Sequence, residues 1–215
     1  ALDKLPIQLL VDEIVTFFLA GTDTTTTALI WVFYNLSKFP NVLTRLREEI
    51  ESVFGRSFKE NPSSCITQDR LKELRYLPRV INETLRLFPP VPRTFPRMAQ
   101  KDVQIAKLKV KKGTILSVEP YTLHRNASLW SNPEEFNPDR QEWSQETIDE
   151  RFIPFTSGRR TCIGQYFAVM EMEVVIIKIL LQMDIKCDLK AYERLKLGLT
   201  LIVEGGMDAE VQFLQ

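Results

Sequence analysis

The cysteine at position 162 is the residue of this sequence with the clearest chemical potential. It follows a loop that contains Gly158 and Arg160, and it precedes a segment with helical periodicity. A helix N-terminus and nearby cations both favour a thiolate, which is a nucleophile or a metal ligand. A nucleophile of the cysteine-protease type needs a histidine base, and the one histidine, His124, is far away in sequence; a metal ligand needs no base. A buried structural cysteine is the alternative interpretation.

A second unusual run, Ala20-Gly21-Thr22-Asp23-Thr24-Thr25-Thr26-Thr27, lies in the middle of a long helical pattern. Glycine in a helix interior costs about 1 kcal/mol relative to alanine. The apolar flanks predict that Asp23 is buried and needs a partner. One interpretation is a polar, exposed turn, or threonines that donate back to the carbonyl four residues earlier. The other is a locally opened helix that offers hydroxyls and a carboxylate to a ligand, and the segment alone favours neither.

Glu83 and Arg86 are spaced so that they share one face of a helix that Pro89-Pro90 stops. Most such pairs lie on the surface and contribute little to stability. The pair alone therefore identifies no site.

Helical periodicity supplies the elements that position these groups. Apolar residues at three- and four-residue steps predict a long helix that Phe39-Pro40 stops. Asn41 is expected to cap the next helix and Gly55 to end it, before a polar loop. Pro78 is expected to divide the following helical stretch. The predicted helices cover residues 6–39, 42–54, 78–88 and 164–183.

The rest of the chain reads as short strands and loops. Alternation around Lys111-Lys112-Gly113 predicts a hairpin or meander within residues 103–118, and the tail, 184–214, reads as short strands. Residues 124–161, of which 124–154 precede the cysteine loop, have few periodic apolar positions, and a structureless run of that length is usually functional. The predicted fold class is mainly α with small β-sheets (α+β).

Composition removes several classes of function. The 215 residues carry 28 basic and 28 acidic side chains, which argues against nucleic acid as the main partner. One histidine and three cysteines without a CxxC pair fit neither most zinc sites nor a disulfide framework, and they point to a reducing compartment. The longest apolar stretch, 14–20, is interrupted by Thr16 and is too short to span a bilayer.

The pattern Phe155-x-x-Gly158-x-Arg160-x-Cys162-x-Gly164 resembles the haem-binding signature of the cytochromes P450, with every fixed position filled. Ala168 also agrees with that signature. Further segments match the family in its order: 20–25 is similar to its oxygen-activating motif, 83–86 to its Glu-x-x-Arg helix, and 124–126 and 136–140 to its meander. The meander has Asp139 and Gln141 where glutamate and phenylalanine are usual, but Arg140 is in place. The resemblance implies the C-terminal part of one cytochrome P450 domain, from residue 1 to 215.

The resemblance implies a haem-thiolate site. Cys162 would be the axial ligand of the iron of haem b, in a loop that covers 155–164. Glu83, Arg86 and Arg140 would form a buried ion triad behind it, and Asp23 with Thr24 would deliver protons during oxygen activation. Other cofactor-binding residues would be Phe155, Gly158, Arg160, Gly164, Ala168 and Arg97, with Arg93 or His124 as alternatives to Arg97. Substrate-pocket residues would be Phe18, Ala20, Val91, Thr94 and Thr200.

The implied activity is that of a monooxygenase that inserts one oxygen atom from O2 into an apolar, lipid-like or xenobiotic substrate. Electrons would come from an NADPH-dependent reductase. Membrane association is expected through an N-terminal part that this sequence lacks, at the cytosolic face, and at the endoplasmic reticulum in a eukaryote. The alternatives are a haem-thiolate isomerase or dehydratase that does not use O2, and a truncated, haem-free product without catalysis.

Overall fold

The longest element is helix α1, Ile7–Lys38, in the computed structural model, which describes residues 6–62, 64–144 and 151–214. Its C-terminal half is buried, with Trp31 and Val32 in the core, whereas Ile14 and Phe18 on its N-terminal half are exposed. No helix in these described ranges combines the length and the hydropathy needed to cross a membrane.

α1 is continuous through the threonine run, so of the two interpretations the locally opened helix does not occur. The hydroxyl of Thr24 donates to the carbonyl of Ala20 at 2.8 Å, which is the back-bonding alternative. Asp23 is exposed rather than buried, because the apolar side chains that flank it on α1 are themselves exposed.

Shorter helices follow α1 along the chain. They are α2 (Pro40–Ile50), α3 (Arg56–Glu60), α4 (Gln68–Leu71), α5 (Tyr76–Leu87), α6 (Pro120–Leu123) and α7 (Gln165–Leu180). A π-helical turn, Glu51–Gly55, joins α2 to α3, and 3-10 turns cover Gln141–Ser144, Gly158–Arg160 and Leu189–Arg194.

The prediction for the second helix is wrong at both ends. Pro40, not Asn41, begins it, because the first helical position needs no N–H partner and suits a proline. Gly55 does not end the helical path, since its φ of −49° and ψ of −52° are right-handed helical. A glycine terminates a helix when it turns left-handed, so the chain continues here into α3 and shortens the expected loop.

The N-terminus of α5 is held by a carboxylate from α2. Glu49 accepts hydrogen bonds from the N–H groups of Arg75, Tyr76 and Leu77 at 2.7, 2.7 and 2.9 Å. Pro78 lies in this first turn and does not divide two helices, because it has no N–H to satisfy there. The negative charge also complements the positive end of the helix. α2 therefore fixes where α5 begins.

The described strands form two-stranded antiparallel sheets. β1 (Arg97–Met98) pairs with β4 (Ile115–Leu116), and they flank the hairpin of β2 (Val103–Ile105) and β3 (Leu108–Val110). β5 (Met183–Cys187) pairs with β8 (Ala209–Phe213), and β6 (Leu195–Leu197) with β7 (Leu201–Val203). The predicted class, mainly α with small sheets, is confirmed.

The core lies where α1, α2, α5 and α7 meet. Trp31 of α1 stacks on Phe88, just after α5, with ring centroids 4.2 Å apart and planes at 3°. Leu46, Ile81 and Ile176 bring the other three helices into the same fully buried cluster. This packing holds α5, which carries Glu83 and Arg86, and α7, which follows the Cys162 loop, in one rigid unit.

We expect Glu49→Ala to lower the free energy of unfolding by about 2 kcal/mol, because it leaves the first N–H groups of α5 without an acceptor. Urea unfolding followed by circular dichroism measures the change. Glu48→Ala is the matched control, since Glu48 is the exposed neighbour on α2, and it should change stability by less than about 0.5 kcal/mol. Equal losses in the two variants would contradict the capping role.

Candidate functional site

A buried ion pair, joined by a second arginine, connects α5 to the loop that follows α6. On α5, Arg86 donates from Nε and Nη2 to the two carboxylate oxygens of Glu83, both at 2.9 Å. Arg140 donates from Nε to Oε1 of Glu83 at 2.8 Å. The side chains of Glu83 and Arg86 are 0% exposed and that of Arg140 is 3% exposed. The structure thus brings the three predicted triad residues into one cluster.

Arg86 also binds the backbone of the loop after α6. Its Nη1 donates to the carbonyls of His124 and Pro133, both at 2.7 Å, and its Nη2 donates to that of Glu135 at 3.0 Å. Its guanidinium lies 5.2 Å from the ring centroid of Trp130. A guanidinium offers five donors in a rigid, planar fork, whereas a lysine offers three on a flexible stem and could not make all of these bonds.

Arg140 binds the same loop from its other end. It donates to the carbonyls of Ser131 and Glu135, and to that of Asn132 at 3.0 Å. Side chains rather than strand pairing therefore set the shape of residues 124–140. Residues 145–150 of the predicted meander lie outside the described residues.

His124 is part of this buried loop and not of an exposed cation site. It is 0% exposed, and its Nε2 accepts a hydrogen bond from the N–H of Ile153 at 3.0 Å. Burial, and then the charge of Arg86, lower the pKa of His124 from 6.5 to about 3. Its assignment as a propionate ligand is wrong, because the imidazole is buried, neutral and already bonded. Arg93, the other alternative, pairs with Glu119 at 2.8 Å.

The loop that carries Cys162 is closed by its own hydrogen bonds. The N–H of Cys162 donates to the carbonyl of Phe155 at 3.0 Å, and the hydroxyl of Thr161 donates to that of Gly158 at 2.7 Å. Gly158 has a φ of +77°, which glycine adopts freely, and Thr156 has a φ of +64°, which is strained for a β-branched residue. A loop that is closed around a strained position points to a functional constraint.

Cys162 is exposed, so the alternative of a buried structural cysteine is wrong for it; Cys65 is the buried one. The thiol has an apolar rim, in which Ile163, Tyr166 and Phe167 are 84%, 88% and 66% exposed. An exposed soft donor beside a broad apolar face suits the ligation of a flat apolar cofactor.

The remaining loop residues are compatible with a cofactor that approaches closely. A Cβ on Gly164 would lie 3.9 Å from Sγ of Cys162, and one on Gly158 would meet nothing within 4 Å. Ala168 lies one turn into α7, where its N–H donates to the carbonyl of Gly164 at 2.8 Å. Arg160 and, on β1, Arg97 are exposed cations that suit carboxylate groups of a ligand. Phe155 is half-buried and packs against the core.

A cleft of about 240 Å³ separates α1 from α7. It is lined by Phe17, Phe18, Gly21, Thr22, Thr25, Thr26, Leu29, Phe167 and Glu171. The threonine run therefore faces the helix that follows the cysteine, but Asp23 and Thr24 lie on the neighbouring face of α1. Sequence reasoning placed Thr25 in the run but gave it no role of its own, and its buried Oγ1 has no hydrogen-bond partner among the described residues. Only its place in the threonine run could have suggested it.

The predicted pocket residues fall into two groups. Val91 and Thr200 are brought together, because the N–H of Leu201 donates to the carbonyl of Pro90 at 2.9 Å. Thr94 follows, and its N–H donates to the carbonyl of Val118 at 2.8 Å. Phe18 and Ala20 lie on the exposed half of α1.

The sequence was compared with known proteins. The sequence model of the cytochrome P450 family matches residues 2–203. Cytochrome P450 4V2 of Homo sapiens is 42% identical over 184 residues, which cover 85% of this chain and 34% of that protein. Cytochrome P450 3A12 of Canis lupus familiaris is 38% identical over 182 residues, 82% of this chain and 34% of the relative. The chain spans about a third of the length of the curated relatives that it matches.

We expect Arg86→Ala to lower the free energy of unfolding by about 3–5 kcal/mol, because Glu83 would be left as a buried charge without its main partner. The matched control is Arg79→Ala on the same helix. Arg79 is 50% exposed and pairs with Asp139 at 3.4 Å, so its loss should cost less than about 1 kcal/mol. Chemical denaturation of both variants measures the difference, and normal stability of Arg86→Ala would contradict the central role of the triad.

Proposed function

The chain belongs to the cytochrome P450 family, and on that premise we propose that it forms the haem-thiolate part of a monooxygenase. The observation that carries this proposal is Cys162. Its thiol is exposed, the apolar side chains of Ile163 and Phe167 that follow it are exposed as well, and its loop is closed by the bond to Phe155. Soft thiolates select iron and other thiophilic metals, and a single ligand of this kind suits a cofactor that brings its own ring of donors.

Haem b is the proposed cofactor. When bound, it would supply the activation of dioxygen and the transfer of one oxygen atom to a substrate. Cys162 would ligate the iron, and Arg160 and Arg97 would bind the propionates. Gly158, Gly164 and Ala168 would give the ring space, and Phe155 would shield the sulfur from water on the core side.

The proposed role of Asp23 and Thr24 is to move protons. The carboxylate of Asp23 is exposed on α1 and can take a proton from solvent. The hydroxyl of Thr24 donates to the carbonyl of Ala20, which leaves the lone pairs of Oγ1 free to accept a proton. Passing a proton onward requires the hydroxyl to rotate away from that carbonyl. A threonine can do so because its hydroxyl hydrogen rotates about the Cβ–Oγ1 bond.

The proposed substrate is an apolar small molecule, lipid-like or xenobiotic, bound against Phe18, Ala20, Val91, Thr94 and Thr200. The mostly apolar character of these side chains supports this class. Electrons would come from an NADPH-dependent reductase. Attachment to the cytosolic face of a membrane would depend on an N-terminal part outside this sequence.

The experiments below distinguish this proposal from two alternative functions. A haem-thiolate isomerase or dehydratase would not need O2, and the carboxylate and hydroxyl of Asp23 and Thr24 favour the oxygen-dependent enzyme over it. The other is a haem-free product without catalysis, and the exposed apolar half of α1 is the observation that favours it.

The absorption spectrum of the reduced, CO-bound protein tests the proposal. We expect a far red-shifted Soret band that disappears in Cys162→Ser, because an anionic sulfur ligand would be lost. Cys187→Ser is the matched control and should keep the band, since Cys187 lies on β5. A band typical of histidine ligation in a folded protein would remove Cys162 as the ligand. No bound haem would favour the haem-free product.

Given a protein that shows this band, NADPH-dependent oxygen uptake in the presence of substrate distinguishes the monooxygenase from the isomerase or dehydratase. Thr24→Ala should lower the product formed per NADPH consumed by about tenfold or more, because a proton donor is lost. Thr24→Ser keeps the hydroxyl and should retain most of the coupling. Full coupling in Thr24→Ala would exclude this hydroxyl from the proton path.

A further inference from the structure

We propose that His124 is a positioning residue for the cysteine loop, because its side chain fixes the point at which the chain enters that loop. The inference deepens the proposed function and rests on Cys162 as the haem ligand. In this proposal the one histidine of the chain does not touch the cofactor. It acts on the loop through its hydrogen bond to the backbone N–H of Ile153.

A continuous series of hydrogen bonds connects the buried ion pair to the cysteine. Arg86 donates to the carbonyl of His124 at 2.7 Å, and the N–H of Ile153 donates to Nε2 of the same residue at 3.0 Å. The carbonyl of Ile153 then accepts from the N–H of Thr156 at 3.1 Å. The carbonyl of Phe155 accepts from the N–H of Cys162 at 3.0 Å. His124 is the link between the triad side and the loop side.

The ring of His124 is also held by packing. Its centroid lies 5.2 Å from that of Phe152, and Phe152 meets Trp143 at 4.9 Å. The imidazole therefore has little freedom to move, and its acceptor atom is fixed relative to Ile153. A fixed acceptor is what a residue needs in order to position a neighbouring loop.

One polar atom of the ring makes a hydrogen bond of normal geometry with the described residues. Nε2 accepts it, so the neutral ring carries its proton on Nδ1. Nδ1 is buried and has no described residue at hydrogen-bond geometry, although the backbone of Arg86 and Leu85 acts on the ring and opposes the fall of its pKa. The bond from Ile153 is therefore the contact that most distinguishes histidine from a phenylalanine of similar shape at this position.

A matched pair of variants tests this proposal. His124→Phe keeps an aromatic ring against Phe152 but removes the acceptor, whereas His124→Gln places a carbonyl oxygen near the position of Nε2. Amide hydrogen exchange, measured with this chain without added haem, reports on the loop directly. We expect exchange at Ile153 and over residues 155–164 to be about five- to tenfold faster in His124→Phe. In His124→Gln it should lie within about twofold of the original chain.

Each outcome decides for or against the positioning role. Unchanged loop exchange in His124→Phe, or equally faster exchange throughout α5 and the loop in both variants, would overturn it. The CO spectrum is recorded in parallel. Loss of the red-shifted band in His124→Phe and its recovery in His124→Gln is the expected result. If the original chain lacks that band while the exchange pattern holds, the haem proposal fails and the assignment of His124 to the loop stands.

Acid unfolding provides a second readout. The charged groups that act on the imidazole are Arg86 from α5 and Arg125 from the segment after α6, and Arg151 on the loop side donates to the carbonyl of Leu129. Folding lowers the pKa of His124 to about 3, whereas the pKa of a histidine in the unfolded chain is about 6.5. The contribution of the neutral imidazole to stability is therefore complete above about pH 6.5 and is lost as the pH falls. For each pH unit by which the solution is acidified between these two values, the unfolding equilibrium constant should rise about tenfold more than in His124→Gln. Identical pH profiles would overturn a neutral, bonded His124.

Discussion

The structure around the candidate site depends on the burial of Glu83 between two arginines. Charges this far from water are tolerated only when every strong donor finds an acceptor, and here the arginines have more donors than one carboxylate can satisfy. The surplus N–H groups of Arg86 and Arg140 bind the carbonyls of the loop between His124 and Glu135. The same interaction therefore satisfies the buried charges and gives an irregular segment a defined shape.

That constraint extends in both directions. On one side, Glu49 of α2 accepts the first N–H groups of α5, so the helix that carries Glu83 starts at a fixed place. On the other side, the ordered loop presents His124 to Ile153, where the chain turns towards Cys162. An exposed thiol keeps a defined position only if the chain before it and the chain after it are both held in place. The bond of His124 holds the chain before Cys162, and α7, which is anchored in the core by Ile176, holds the chain after it.

The apolar side chains of the molecule fall into a buried set and an exposed set. The helices pack around Trp31 into a dry core, whereas the apolar half of α1 and the rim around Cys162, with Phe18, Ile163 and Tyr166, face solvent. Apolar surface of this kind marks a binding face rather than a stability element. The cofactor and substrate assignments both rely on this exposed surface, whereas the ion triad is buried and is connected to the cysteine loop through His124 and Ile153.

The sequence by itself determined the family and the fold class, and it predicted the candidate site residues, because a thiolate loop and an ion-pair helix need particular residue types at fixed spacings. It also predicted the location of most helices, since the spacing of apolar residues that indicates a helix is a local property of each segment. The tertiary structure alone decided the cap that Glu49 gives to α5, the backbone carbonyls that Arg86 binds and the burial of His124. These depend on groups far apart in the chain, whose approach no local pattern records. Pro78 and Gly55 were misread for the same reason, because their effect on a helix depends on the backbone conformation and on the neighbours that the fold provides.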